Sequence, residues 1–232
     1  MSSMSNATLK PIVIHGNGGP NPTKVIVLLE VLGLPYTALN VAFSDVKGPS
    51  YTALNPNGRL PTIEDPNTGI KVWESGAIVT YLINTYDRDH KFSFEANTPD
   101  AWHAQQWLHL QATGQGPYYG QAVWFKKFNP EPNPSAVKRY VGEINRITSV
   151  LDGWLAKQSE GAEGGKWLVG GKLSYADLAF VSYQITANTW FATDEFDPEQ
   201  YPEVKKWLER MVKTEPVKAA LSKCVPYNEY VK

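Results

Sequence analysis

The sequence is poor in the residues that build cross-linked or metal-bound proteins. Its 232 residues include one cysteine, Cys224, and four histidines. A single cysteine excludes an intrachain disulfide and a cysteine-based zinc site, and no two histidines have the spacing of a helical metal site. We therefore expect no metal centre. The scarcity of cysteine also favours a reducing compartment, and we expect the cytoplasm.

The chain also lacks an excess of charge of either sign. It has 22 basic and 23 acidic residues, a formal net charge of -1 at pH 7. Such a balance gives no broad attraction for nucleic acid or for an anionic membrane surface. No window approaches the roughly 18 apolar residues that a membrane span requires, and residues 1–8 are small and polar, which predicts a short arm and no targeting segment. We expect neither nucleic acid nor membrane as a partner.

Short alternating elements fill the first part of the chain, residues 9–86. The pattern predicts, in order, a strand at 9–15, a helix that ends at Gly33, a strand at 36–41, a hairpin with arms at 60–64 and 70–73, and a helix that opens at Ser75. A strand–helix–strand unit favours parallel pairing and a hairpin is antiparallel. The sequence therefore predicts an α/β domain with a mixed sheet.

The second part, residues 98–232, shows helical signals and no convincing strand. A capping hydroxyl at Thr98 precedes a proline and an acid, which is a typical helix start. Ser174 and Asp177 have the spacing of a capping box, in which each side chain accepts a backbone N–H of the other residue. We predict an all-α domain here, joined to the first domain by the polar stretch 87–97.

Polar residues that could bind an amino acid group together in the first domain. Residues 55–61 place a proline at the start of a strand, where unpaired backbone groups can meet an extended ligand. Twelve residues further on, Glu74 and Ser75 stand where a helix begins. Free amides at a helix start attract a carboxylate, and Glu74 could bind an ammonium group. The alternative is that Ser75 and Asn21 are ordinary helix caps.

These motifs together resemble those of the cytosolic glutathione transferases, over residues 9–221. They are Asn-Pro-x-Lys at 21–24, Asn-Pro-Asn-Gly-Arg-Leu-Pro at 55–61, Glu-Ser-Gly-Ala-Ile at 74–78 and the capping box at 174–177. The chain is most similar to the fungal branch that resembles the C-terminal domain of the yeast nitrogen-catabolite regulator, with bacterial disulfide-bond oxidoreductases as cousins. The resemblance implies a thioredoxin-like domain with a four-stranded mixed sheet, a cis-Pro61, a helical bundle domain and a homodimer.

The resemblance also implies that glutathione is a co-substrate bound by the first domain. Glu74 and Ser75 would bind the γ-glutamyl head, and the Leu60 backbone would pair with the cysteinyl part. Arg59 would lie towards the glycyl carboxylate, for which Lys47 is a second candidate.

The thiol of glutathione would meet neutral donors. Better-known transferase classes place a Tyr, Ser or Cys near the end of the first strand, but residues 15–21 contain none of these, and Thr23 is the nearest hydroxyl. An exchange mechanism through a protein thiol is therefore excluded at this place, and Cys224 is expected to be inert. In this branch the thiol lies near the helix-starting Asn, here Asn21. Its side-chain amide and nearby backbone amides would favour a thiolate without taking its proton.

An aromatic cluster in the helical domain is the candidate pocket for the second substrate. Its members are Tyr118, Tyr119, Trp124 and Phe125. Core packing is the more common reason for such a cluster. The glycines and proline between 114 and 120 nevertheless predict a loosened helix, and the resemblance places this element over the thiol.

The function implied is that of an enzyme, a glutathione transferase that uses bound thiolate against small hydrophobic electrophiles. Two alternatives stay open. Attack on glutathione-containing disulfides needs the same activated thiol, so the sequence does not separate it from transfer to carbon. The chain could also be a non-catalytic glutathione-binding protein with a regulatory or carrier role.

Overall fold

The computed structural model describes residues 9–161 and 164–231, which form two compact units. Unit one comprises the described residues of the ranges 1–89 and 214–232, and unit two comprises the described residues of the range 90–213. The arm predicted for residues 1–8 lies outside the described residues. In the part of the chain that is described, every helix is too short or too polar to cross a membrane.

Unit one is built on a four-stranded mixed sheet, as the sequence predicts. Its first elements are β1 (Ile12–His15), α1 (Pro20–Val31), β2 (Tyr36–Leu39), α2 (Pro49–Thr52), β3 (Thr62–Asp65), β4 (Ile70–Trp73) and α3 (Ser75–Tyr86). The strand order is β2-β1-β3-β4. β1 pairs in parallel with β2 and antiparallel with β3, and β3 pairs antiparallel with β4. This is the arrangement of a thioredoxin-like domain, and it brings the starts of α1, β3 and α3 towards one another.

Unit two is helical throughout the residues described. It contains α4 (Pro99–Leu110), a π-helical segment (Gln111–Gln115), α5 (Gly116–Lys127), α6 (Pro134–Ala156), α7 (Tyr175–Leu178), α8 (Val181–Trp190), a 3-10 turn (Pro198–Gln200) and α9 (Pro202–Lys213). The π-helical segment is the loosened helix that the glycine-rich stretch predicts. Segments of this kind recur at functional sites.

A buried carboxylate organises the second half of unit two. Asp177 has no exposed surface. It accepts hydrogen bonds from the backbone N–H groups of Leu168 at 2.9 Å and Ser174 at 3.0 Å, from the Ser174 hydroxyl at 2.9 Å and from the indole of Trp207 at 2.9 Å. The capping box between Ser174 and Asp177 is confirmed.

The last helix, α10 (Glu215–Ser222), belongs to unit one. It packs against α1 and buries Val217, Ala220 and Leu221 completely. The following chain makes a β-bridge between Val225 and Gly18. The predicted domain of residues 98–232 includes α10, whereas the compact units assign α10 to unit one. Local sequence shows that a helix has an apolar face, but tertiary packing determines which element covers that face.

Candidate functional site

The loop before β3 is fixed by its own side chains. The Arg59 carbonyl accepts hydrogen bonds from the Tyr51 hydroxyl at 2.9 Å and from Asn55 Nδ2 at 2.7 Å. The Asn57 N–H donates to Asn55 Oδ1 at 3.0 Å. Gly58 has a φ of +59°, and a Cβ atom there would lie 2.6 Å from a backbone oxygen, so only glycine fits. These bonds hold the backbone that leads into Leu60.

Leu60 presents its backbone at the start of the sheet. The Leu60–Pro61 peptide is cis, as the resemblance implies. Among residues 9–161 and 164–231, the Leu60 N–H and C=O have no hydrogen-bond partner. The side chain packs against Gly16 and lies near Pro22, since a Cβ on Gly16 would be 3.2 Å from each. A strand end of this kind can pair with the backbone of an extended peptide.

Glu74 and Ser75 form the beginning of α3. Glu74 is the N-cap residue, with φ 68° and ψ 112°, and Ser75 is the first helical residue. The alternative that Ser75 is the N-cap is therefore wrong. A positive φ is costly for a residue other than glycine, and such conformations cluster at ligand sites. The Ser75 hydroxyl donates to Asn21 Oδ1 at 3.2 Å.

Asn21 lies in the first turn of α1. The N-cap is Gly19, and the helix begins at Pro20, so Asn21 is the second helical residue and not the cap. Pro20 and Pro22 have no N–H group. Among the first three residues of α1, Asn21 is thus the residue that carries a backbone amide proton. The start of α1 therefore carries one backbone amide and one side-chain amide at the same position.

The two candidates for the glycyl carboxylate, Lys47 and Arg59, lie at the loop that contacts Glu74. Asn57 Nδ2 donates to Glu74 Oε1 at 3.1 Å, and Lys47 Nζ donates to the Asn57 carbonyl at 2.8 Å. Arg59 is exposed on the same loop. Unit one therefore brings Asn21 and Ser75 into direct contact and links Lys47 to Glu74 through Asn57. Sequence reasoning gave no role to Asn57, although it stands inside the 55–61 motif.

A buried lysine lies behind this site. Lys24, three residues after Asn21 on α1, is 1% exposed. Burial lowers the pKa of its ammonium group from 10.5 to about 7, and the negative charge of Glu74 partly opposes this shift. Sequence reasoning recorded Lys24 only as part of a motif. The sequence feature that could have indicated its burial is the position of a single lysine next to the apolar run of residues 25–29.

The protein thiol has no access to solvent. Cys224 is fully buried in unit one, and burial raises the pKa of its thiol to about 11. Thr23, the alternative hydroxyl near the thiol site, is also fully buried. In the described ranges there is no group of three or more His, Cys, Asp or Glu side chains that could bind a metal ion.

Tyr119 is a core residue of unit two. Its side chain has no exposed surface, and its hydroxyl lies 3.2 Å from the Ile144 carbonyl, to which it donates, and 2.9 Å from the Thr148 hydroxyl. Its ring meets Tyr183 edge to face, with 6.3 Å between centroids. The expectation that Tyr119 lines a substrate pocket is wrong for this arrangement, because it offers no surface to a ligand.

The other three aromatic residues of α5 form a partly exposed cluster with α6. Phe125 stacks on Tyr140 with ring centroids 5.7 Å apart, and Tyr118 lies 6.2 Å from the same ring. Trp124 packs edge to face on Phe125 at 4.9 Å and is 43% exposed. We call Tyr118, Trp124, Phe125 and Tyr140 the aromatic cluster. The sequence analysis did not identify Tyr140 as a member of this cluster.

A thioredoxin-like unit in which the helix after the sheet begins with Glu-Ser, together with a helical unit, defines the glutathione transferase class of proteins. The chain belongs to this family. Residues 12–84 match the model of the glutathione S-transferase N-terminal domain, and residues 117–215 match that of the C-terminal domain.

Three fungal proteins illustrate the similarity at the level of single proteins. The chain is 56% identical over 220 residues to the glutathione S-transferase-like protein gedE of Aspergillus terreus, which covers 94% of this chain and 97% of that protein. It is 37% identical to the glutathione transferase URE2P6 from Phanerochaete chrysosporium in complex with oxidized glutathione, with a TM-score of 0.85 and coverage of 96% and 98% of the two chains. Ure2p5 from the same fungus, cocrystallized with 1-(S-glutathionyl)-2,4-dinitrobenzene, is 34% identical, with a TM-score of 0.79 and 96% coverage of both chains.

Proposed function

We propose that the protein is an enzyme that uses the thiolate of bound glutathione against small hydrophobic electrophiles or against disulfides that contain glutathione. The observation that carries the proposal is the 3.2 Å hydrogen bond from Ser75 to Asn21. It joins the residue expected to bind the γ-glutamyl carboxylate to the residue expected to meet the thiol. The residues proposed for glutathione binding and the residue proposed for thiol activation thus belong to one cluster of side chains in unit one.

Each part of glutathione has a matching group in this cluster. The γ-glutamyl ammonium is attracted by the exposed Glu74 carboxylate and by the Ser75 hydroxyl oxygen, whose proton is given to Asn21, and the γ-glutamyl carboxylate is attracted by the Ser75 backbone N–H at the positive end of α3. The cysteinyl backbone pairs with the Leu60 N–H and C=O, which have no partner among the described residues. The glycyl carboxylate is attracted by Arg59 on the exposed loop.

The Asn21 side chain is oriented for donation to the sulfur. Because its Oδ1 atom accepts the Ser75 hydroxyl proton, the Nδ2 group faces away from Ser75. A hydrogen bond from a neutral amide to the sulfur favours the charged form and so lowers the thiol pKa. The thiol loses its proton to solvent, and the protein stabilises the anion that remains. This anion then attacks a carbon of the second substrate and displaces its leaving group, chloride in chlorodinitrobenzene, or attacks one sulfur of a disulfide and releases the other as a thiolate.

The aromatic cluster of unit two is the part of the chain that we propose for the second substrate. Trp124, Phe125 and Tyr118 present apolar ring surface that suits a hydrophobic electrophile. We also propose a homodimer, in line with the family resemblance. Ile70 and Trp73 of β4 are 43% and 38% exposed, and apolar surface of this kind is commonly covered by a second copy. Sedimentation equilibrium should then give twice the 25.8 kDa chain mass.

A pair of assays tests the proposal. Glutathione affinity is measured by calorimetry, and turnover is measured with chlorodinitrobenzene and with hydroxyethyl disulfide, both in the presence of glutathione. The glutathionyl-dinitrobenzene complex of Ure2p5 motivates the first substrate. Turnover of either substrate supports an enzyme and identifies carbon or sulfur as the target. Binding of glutathione without turnover of either would refute the enzyme and favour a binding or regulatory protein.

A further inference from the structure

Asn57 is fixed on three sides, although it lies at the surface. Its backbone N–H donates to Asn55 Oδ1 at 3.0 Å, its carbonyl accepts from Lys47 Nζ at 2.8 Å, and its side-chain Nδ2 donates to Glu74 Oε1 at 3.1 Å. With both backbone groups engaged, the position of the side-chain amide is set before any ligand arrives.

Glu74 needs such a constraint. It is exposed, and a free glutamate side chain loses rotamer entropy when a ligand fixes it. The bond from Asn57 occupies Oε1 and leaves Oε2 to accept a donor from the ligand. Part of the ordering is therefore complete in the unbound protein, which is the usual advantage of a preorganised site.

Lys47 lies along the loop that carries Asn57. Its stem follows Gly58, since a Cβ on Gly58 would be 2.9 Å from Lys47 Cδ and 3.1 Å from Nζ. The ammonium group reaches the Asn57 carbonyl at 2.8 Å. This position differs from the one implied by the resemblance, in which Lys47 serves the glycyl carboxylate.

We propose that Asn57 is a positioning residue that orients the Glu74 carboxylate towards the ammonium group of the γ-glutamyl head, and that Lys47 acts through Asn57. The inference rests on the proposed function, because it concerns the same glutathione site. It assigns specificity for the free ammonium group to a relay that runs from the Lys47 side chain through the backbone carbonyl and side-chain amide of Asn57 to the Glu74 carboxylate.

Three ligands separate the parts of this relay. Calorimetry is carried out with glutathione, with γ-glutamylcysteine, which lacks the glycyl carboxylate, and with glutaryl-cysteinyl-glycine, which lacks the ammonium group. Loss of a hydrogen bond to a charged group predicts that Asn57→Ala weakens glutathione binding by about 10-fold. The same change should leave the affinity for glutaryl-cysteinyl-glycine within about 2-fold, because the ammonium that Glu74 recognises is absent.

Two further variants complete the test. In a Glu74→Gln background, Asn57→Ala should change glutathione affinity by less than about 2-fold, since residues that act through one another are not additive. Lys47→Met should weaken glutathione and γ-glutamylcysteine by the same factor, about 3-fold for an exposed charge. Asn67→Ala, an asparagine in the β3–β4 turn that bonds Lys10, is the control and should leave all three affinities unchanged.

The outcomes are distinct. Equal losses for all three ligands in Asn57→Ala would overturn the inference and show that the residue only shapes its loop. Loss of glutathione affinity with unchanged γ-glutamylcysteine affinity in Lys47→Met would overturn the role given to Lys47. If the unaltered protein bound no glutathione, the proposed function itself would fail. Normal binding with an unaffected Asn57→Ala would remove this inference alone.

Discussion

Replacement of Asn21 by alanine tests the part of the site that is proposed to activate the thiol. The side chain supplies one neutral donor at the start of α1, and the backbone N–H of the same residue stays in place in the variant. Helix α1 should tolerate the change, because Gly19 and not Asn21 is the N-cap. The substitution therefore removes one donor, together with the acceptor of the Ser75 hydroxyl proton, while it leaves the fold of unit one intact.

The size of the effect follows from this geometry. A hydrogen bond to a charged group contributes about 1.5–3 kcal/mol, and each pKa unit corresponds to about 1.4 kcal/mol. The upper limit of the shift is thus about 2 units, and because one amide remains we expect the pKa of the bound thiol to rise by about 1 unit. Below that pKa, turnover should fall by about 10-fold, which is less than the loss of about 100- to 1,000-fold that follows removal of an oxyanion donor.

The assay is the pH dependence of turnover at saturating glutathione, with thiolate absorbance as an independent readout. Glutathione affinity should change little, since the charged groups that bind it lie elsewhere. Asn17→Ala, in the loop before α1, is the matched control. Equal losses in both variants would mean that loop shape matters more than one amide. An unchanged pH profile in Asn21→Ala would refute the assignment.

Three more predictions concern stability and substrate. Asp177→Asn turns an amide towards the Ser174 N–H and leaves it unpaired, so urea unfolding should show a loss of about 2–4 kcal/mol. Burial lowers the pKa of Lys24 from 10.5 to about 7. Between about pH 7 and pH 10.5 the unfolded state therefore binds more protons than the folded state, and the free energy of unfolding falls as the pH falls through this range. Lys24→Met should make the free energy of unfolding less dependent on pH in this range, as measured by unfolding at several pH values. Trp124→Ala should raise KM for chlorodinitrobenzene by a few-fold and leave glutathione affinity unchanged, and an equal change in both would argue against a substrate-binding role.

Much of the fold was accessible from local patterns. The hairpin between β3 and β4 has a turn rich in Asp, Pro, Asn and Gly, and the strands carry alternating apolar residues, so the mixed sheet follows from short-range signals. The sequence did not predict that α10 belongs to unit one, because its apolar face could have packed on any helix. Tertiary contacts with α1 decide that placement.

The site residues could be predicted from the sequence where a motif identified them, but not where burial or a tertiary contact determines their role. Glu74, Ser75 and Leu60 were named from their motifs, whereas Asn57 was missed because its role comes from a contact with a residue 17 positions away. Tyr118 and Tyr119 are adjacent aromatics on one helix. They point about 100° apart, and only the packed structure shows that Tyr119 is the buried one.

The charges of the site belong to residues other than the proposed thiol donor, Asn21. Glu74 and the buried Lys24 lie at the end proposed for the γ-glutamyl head, and the start of α1 offers amides. Affinity and thiol pKa should therefore respond to different substitutions, with Ser75 as the exception because it donates to Asn21. Ser75→Ala should weaken glutathione binding by about 1–3 kcal/mol and, by releasing the Asn21 amide, raise the thiol pKa as well. Calorimetry and the pH profile measure the two effects separately. A change in affinity alone would show that the bond to Asn21 does not orient the amide towards the sulfur.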